Sequence, residues 1–171
     1  MNQSDPAYRI RVSYIDKSRE YYAAQGFDRP YRWAANDDSP FLPLQKPLSE
    51  CCVGIVTTSN QLGPGESPDD DPDARPPRRP YAQPIDPLPE AMYTRDLSWD
   101  MEATHTRDVE TFIPIRAFQS LVKDGRVGSL SNRFYGVPTE YSQRRTVESD
   151  APDVLKYCRE DNVDIAVLVP L

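Results

Sequence analysis

Through residues 8–24, apolar and aromatic positions recur at helical spacing: Ile10, Tyr14, Ile15, Tyr21 and Tyr22 share one face with Ser18. Gly26 follows, and a glycine there takes the left-handed conformation that stops a helix at little cost. The pattern predicts an N-terminal helix. It then breaks, because Pro30, Pro40, Pro43 and Pro47 come too close together for helix or central strand. Residues 29–47 read as a proline-rich extended arm with Trp33, Phe41 and Leu44 as anchors.

Residues 52–59 are short, β-branched and uncharged, as a strand covered on both faces should be. Residues 62–89 are rich in proline and aspartate and carry too little apolar surface to offset the entropy of ordering. They read as a solvated loop or polyproline-like excursion. Ile113-Pro114-Ile115 then opens a helix with Ile115, Phe118, Leu121 and Val122 as its stripe and Asp124-Gly125 as its stop. A turn over residues 127–130 leads to Phe134-Tyr135-Gly136-Val137-Pro138. The last helix takes Ser149 or Asp150 as N-cap, carries Pro152 in its first turn and turns Val154, Leu155 and Cys158 inward. Asp161-Asn162 then leads into a buried strand over residues 163–171.

Helix and strand in alternation define the expected fold class, α/β: a partial parallel sheet with flanking helices, plus an N-terminal helix and a proline-rich extended arm. The expected division is residues 1–47 for helix and arm, and 48–171 for the α/β domain, with 62–90 as a flexible proline and acidic loop. Two clear strands are too few for a self-sufficient sheet. In open α/β sheets chemistry sits in the loop beyond a strand's carboxyl end, and the last strand runs to Leu171 without one. The expectation is a domain that is incomplete at its C-terminus, or completed by another subunit.

Composition narrows the partners. The 171 residues are 38% hydrophobic, with 18 prolines against 7 glycines, which fits long extended stretches. Mean hydropathy is -0.69. A net charge of -7 argues against nucleic acid, whose phosphates need clustered Lys and Arg. No apolar run reaches the length of a membrane span, and the first residues lack a signal-peptide core, so the expected address is cytoplasmic, with no membrane partner. Three cysteines do not make a secreted disulfide framework.

His105, the only histidine, lies among Asp100, Glu102 and Asp108, groups that together can bind a divalent metal or move protons near neutral pH. A hydrogen-bonded structural histidine fits the same residues, and one imidazole is thin support for a metal. Thr57, Thr58 and Ser59 end the first core strand, where hydroxyls and free N–H groups can hold a carboxylate. Arg144 can clamp a substrate carboxylate, or sit as a surface cation beside Arg145. Cys51, Cys52 and Cys158 read as small buried hydrophobes, and no nucleophile motif is present.

The stretch Thr104-His105-Thr106-Arg107-Asp108-Val109-Glu110-Thr111-Phe112-Ile113-Pro114-Ile115-Arg116-Ala117-Phe118, continuing through Gly125-Arg126-Val127-Gly128-Ser129-Leu130, resembles the component B selenoproteins of glycine, sarcosine and betaine reductases and of D-proline reductase. Ala151-Pro152-Asp153-Val154-Leu155 and Asn162-Val163-Asp164-Ile165-Ala166-Val167-Leu168-Val169-Pro170-Leu171 look like that family's helix and strand before its redox motif. The resemblance covers residues 93–171 and extends to 48–60. It implies a reductase subunit that cleaves a C–N bond in a small amine or amino acid, the nucleophile being a selenocysteine or cysteine expected after Leu171. It also implies partner subunits, one bearing a pyruvoyl group, with no cofactor in this chain. The truncated chain is expected to be inactive alone. Two readings stand beside it: a non-catalytic partner subunit, self-associating or bound to another chain, and a small-molecule-binding α/β domain.

Overall fold

The structure, a computed structural model, describes residues 14–27, 29, 37–38, 42–67, 70, 79–94, 108–139 and 142–170. Contacts divide the chain into two units, Met1–Phe41 and Leu42–Leu171, a boundary slightly earlier than the expected one. In the first unit α1 spans Tyr14–Ala24 and ends as the sequence predicts: Gly26 has φ +86°, and Phe27 N–H donates to the Tyr22 carbonyl at 3.0 Å. Tyr21 and Tyr22 stand exposed and meet edge to face, with ring centroids 5.7 Å apart. The described part of the expected stripe is therefore not a buried face. Most of the proline-rich arm lies outside the described residues.

The second unit contains β1 (Cys52–Thr57), β2 (Asn60–Gln61), β3 (Tyr81–Pro84), β4 (Met92–Tyr93), α2 (Ile115–Lys123), β5 (Ser129–Leu130), β6 (Arg133–Gly136), α3 (Gln143–Arg145), α4 (Ala151–Glu160) and β7 (Ile165–Val169). β1 is the central strand. It pairs in parallel with β5 and β6, end to end along one side, and with all of β7 along the other. β3 closes the far edge by pairing antiparallel with β6, and β2 and β4 form a separate two-stranded ribbon.

Alternation along β1 decides which helix covers which face, since successive side chains point to opposite sides. Ile55 joins Phe112, Ile113, Ile115 and Phe134 in a cluster against which Phe118 of α2 and Val169 of β7 pack. Val56 joins Tyr135 and Cys158 on the other face, against Val154 and Tyr157 of α4. Each large apolar side chain taken fully out of water contributes about 1.5–3 kcal/mol, so the two clusters carry most of the fold. The path β1 to β6, then back past β1 to β7, with α2 and α4 on opposite faces, is doubly wound.

Five sequence expectations are corrected here. The loop over residues 62–89 is interrupted by β3, tolerated there because an edge strand accepts Pro84 at its end. The turn over residues 127–130 holds β5, which two backbone hydrogen bonds tie to β1: Ser129 N–H to the Cys51 carbonyl at 3.0 Å and Ser131 N–H to that of Val53 at 2.8 Å. The last helical stretch begins at Gln143, not at residue 150; its cap is Ser142, whose Oγ accepts from Arg145 N–H at 3.3 Å, and a π-helical turn over Thr146–Asp150 joins α3 to α4. Leu155 is exposed rather than inward. β7 is also less covered than expected: Leu168 is 71% exposed, and no described strand pairs with its outer edge.

Candidate functional site

In a doubly wound sheet the ligand crevice lies outside the carboxyl ends of the strands, where the winding reverses. Here that point is between β1 and β7: Thr57 pairs with Val169, and Thr58 N–H reaches the Val169 carbonyl at 3.4 Å. The chain leaving β1 is held by its own side chains. Thr57 and Ser59 are fully buried with their hydroxyls 2.9 Å apart, and Ser59 N–H donates to Thr57 Oγ1 at 3.2 Å. Ser59 Oγ donates to Met92 Sδ at 3.7 Å, so the hydroxyl between them is donated by Thr57. Tyr81 Oη donates to the Ser59 carbonyl at 2.9 Å, its ring lying against Gly136, where any Cβ would overlap it.

The two outer hydroxyls of the predicted Thr57-Thr58-Ser59 set are thus buried and mutually satisfied; they shape the crevice from within. Thr58, half-buried between them, is the member nearest its surface. Arg144 is placed on the exposed helix surface, 3.8 Å from Glu148 one turn on, and no described contact brings it to β1. His105 lies outside the described residues. All three cysteines are free; Cys51 and Cys158 are buried as expected, burial pushing the Cys158 thiol up, but Cys52, at the start of β1, is only half-buried. Among the described residues no group of three His, Cys, Asp or Glu side chains can hold a metal ion, and no helix is long and apolar enough to cross a membrane.

Sequence reasoning missed the buried oxygens at this same edge. Asn60 Oδ1, Thr139 Oγ1 and both carboxylate oxygens of Asp150 are buried without a hydrogen-bond partner. Asn60 follows β1 closely, while Thr139 and Asp150 lie on the connection from β6 to α4. One signal was available: with Ser142 as the cap, Asp150 falls deep inside the helix, where its carboxylate cannot cap anything. The opposite edge contrasts sharply. Asp161 there accepts from Arg133 Nε at 2.7 Å, Arg133 Nη2 at 2.9 Å and Tyr135 Oη at 2.6 Å, a saturated network.

Fold and edge geometry together define a doubly wound α/β domain whose candidate site lies at the carboxyl ends of β1, β6 and β7. No family model, curated protein or solved structure matches the chain.

Proposed function

We propose that this chain is the scaffold of a reductase subunit of the glycine, sarcosine, betaine or D-proline type, acting on a C–N bond of a small amine or amino acid. The observation that supports it most is the parallel, in-register pairing of β1 with β7 at the switch point. A nucleophile carried just beyond β7 stands beside the loop that leaves Thr57. In the proposed step a selenolate or thiolate attacks the α-carbon. The new bond forms as the C–N bond breaks, and the bonding pair leaves with the amine. A selenocysteine is ionised at neutral pH, which makes it the stronger attacking group. The pyruvoyl group implied by the resemblance belongs to a partner subunit and supplies Schiff-base chemistry there. A cytoplasmic address and partner subunits go with this reading.

The test is to express the chain with whatever coding sequence follows the Leu171 codon and assay amine release, with a dithiol and the partner subunits, from glycine, sarcosine, betaine and D-proline. Release from at least one substrate is expected, abolished when the first selenocysteine or cysteine beyond Leu171 becomes serine. No release from any of the four rejects the reading. A second reading, a non-catalytic partner subunit, draws on a different observation: the uncharged outer edge of β7 and its exposed Leu168 are the features of a strand that pairs with another chain.

A further inference from the structure

All four unpartnered buried oxygens among the described residues lie at the carboxyl edge, and two belong to one carboxylate. Asp150 is 1% exposed. It stands one turn before Val154 and two before Cys158, the residues that α4 turns onto the Val56 face, so it occupies the inward stripe where an apolar side chain would stabilise the fold. A buried carboxylate without donors is among the costliest groups a fold can hold. Its cation partner among the described residues, Arg145 Nε, is 3.6 Å from Oδ1, within ion-pair range but beyond a hydrogen bond. The helix offers nothing more: Ala151 N–H already donates to the Thr146 carbonyl. Thr139 Oγ1, on the same connection from β6, is unpartnered too.

What Asp150 lacks is hydrogen-bond donors carrying positive charge. We infer that Asp150 anchors the ammonium group of a ligand bearing at least one N–H. The choice of ligand rests on the reductase reading; the unmet acceptors do not. Within the four substrate types the assignment separates sarcosine, glycine and D-proline, whose ammonium groups carry N–H donors, from betaine, whose quaternary nitrogen has none.

Calorimetric titration with sarcosine and with betaine, on the wild-type chain and on Asp150→Asn and Asp150→Leu, tests this directly. Sarcosine is expected to bind at least about tenfold more tightly than betaine, as one charge-assisted hydrogen bond allows. Both variants should erase that difference. Thermal unfolding supplies the second readout. An anchor held without donors is removed at no loss, so Tm stays level or rises in Asp150→Leu, whereas an Arg145–Asp150 pair serving the fold alone would lower it. Equal affinities for the two ligands, no binding of sarcosine, undiminished binding in Asp150→Asn, or a fall in Tm in both variants each overturns the assignment. The two proposals fail separately. Sarcosine bound through Asp150 without amine release from the extended protein rejects only the reductase chemistry. Amine release from sarcosine with KM unchanged in Asp150→Asn rejects only the anchor.

Discussion

Replacing Gly128 with alanine is expected to cost the second unit about 3 kcal/mol, the upper part of the usual range for overpacking. Gly128 precedes β5 and presses against the residues that enter β1. A Cβ built on it falls 2.6 Å from the Glu50 carbonyl carbon and 2.8 Å from both Cys51 N and Cys51 O. These are backbone atoms, with no side chain able to swing aside. They are also held in place: Gly128 N–H donates to the Leu48 carbonyl at 3.1 Å, and Ser129 N–H to that of Cys51 at 3.0 Å. Relief requires β5 to move off β1, which breaks the Cys52–Ser129 and Val53–Leu130 register. Gly125→Ala is the matched control. Its φ is +68° but nothing lies within 4 Å of the added carbon, so only the left-handed strain of about 1–2 kcal/mol is paid. Urea unfolding of both variants checks the ranking, and a Gly128→Ala protein as stable as Gly125→Ala contradicts it.

That pair of glycines also shows what a sequence can and cannot convey. Gly125 announces itself, because a stop after the Ile115–Val122 stripe needs a left-handed residue and the chain supplies one. Gly128 looks like a turn glycine, and only the approach of residues 50–51 shows that its missing Cβ makes room for a neighbouring strand. Periodicity and stop chemistry are local, so α1, β1, α2 and the approach to β7 could be read directly. β3 could not. Its proline-rich context argues for a loop, and it becomes a strand because β6 offers an unpaired edge and Gly136 leaves room for the Tyr81 ring.

The candidate site divides in the same way. The carboxyl end of β1 was recognisable from its hydroxyl run, but the burial of Thr57 and Ser59 depends on Met92 and Tyr81, far along the chain. Asp150 was misread as a cap because Ser149-Asp150 before Ala151-Pro152 has the right chemistry for one. The Ser142 cap and the π-helical turn carry the helix through that point. A strong local signal was overruled by an earlier one seven residues upstream of Ser149. The exposed face of Leu168 has another cause: an uncharged strand pattern is the same whether the strand is central or at the edge.

The amino edge carries the second large effect. Asp161→Ala is expected to lose about 2–4 kcal/mol, because it strands the Arg133 guanidinium and removes the acceptor of the buried Tyr135 hydroxyl. Glu160 at 3.1 Å and the Tyr157 ring, 5.8 Å from the guanidinium carbon, retain part of Arg133's surroundings and keep the loss from being larger. The pH dependence identifies the same contact from both sides. Burial pushes the Asp161 carboxyl up, but the hydrogen bonds from Arg133 and Tyr135 outweigh it and hold the group below the ordinary carboxylate range. A carboxyl depressed in the folded state stabilises fully above its unfolded value, about 4, and loses that contribution as pH falls through the folded value. Tyr135 runs the other way. Burial first, and then its bond to Asp161, raise its hydroxyl above the ordinary phenol range. Its contribution is therefore complete below about pH 10 and drains away above it. Unfolding free energy measured across pH should fall at both ends in the wild type. Asp161→Asn should flatten the acid limb and Tyr135→Phe the alkaline one, and an acid limb equally steep in Asp161→Asn shows that other carboxylates drive it.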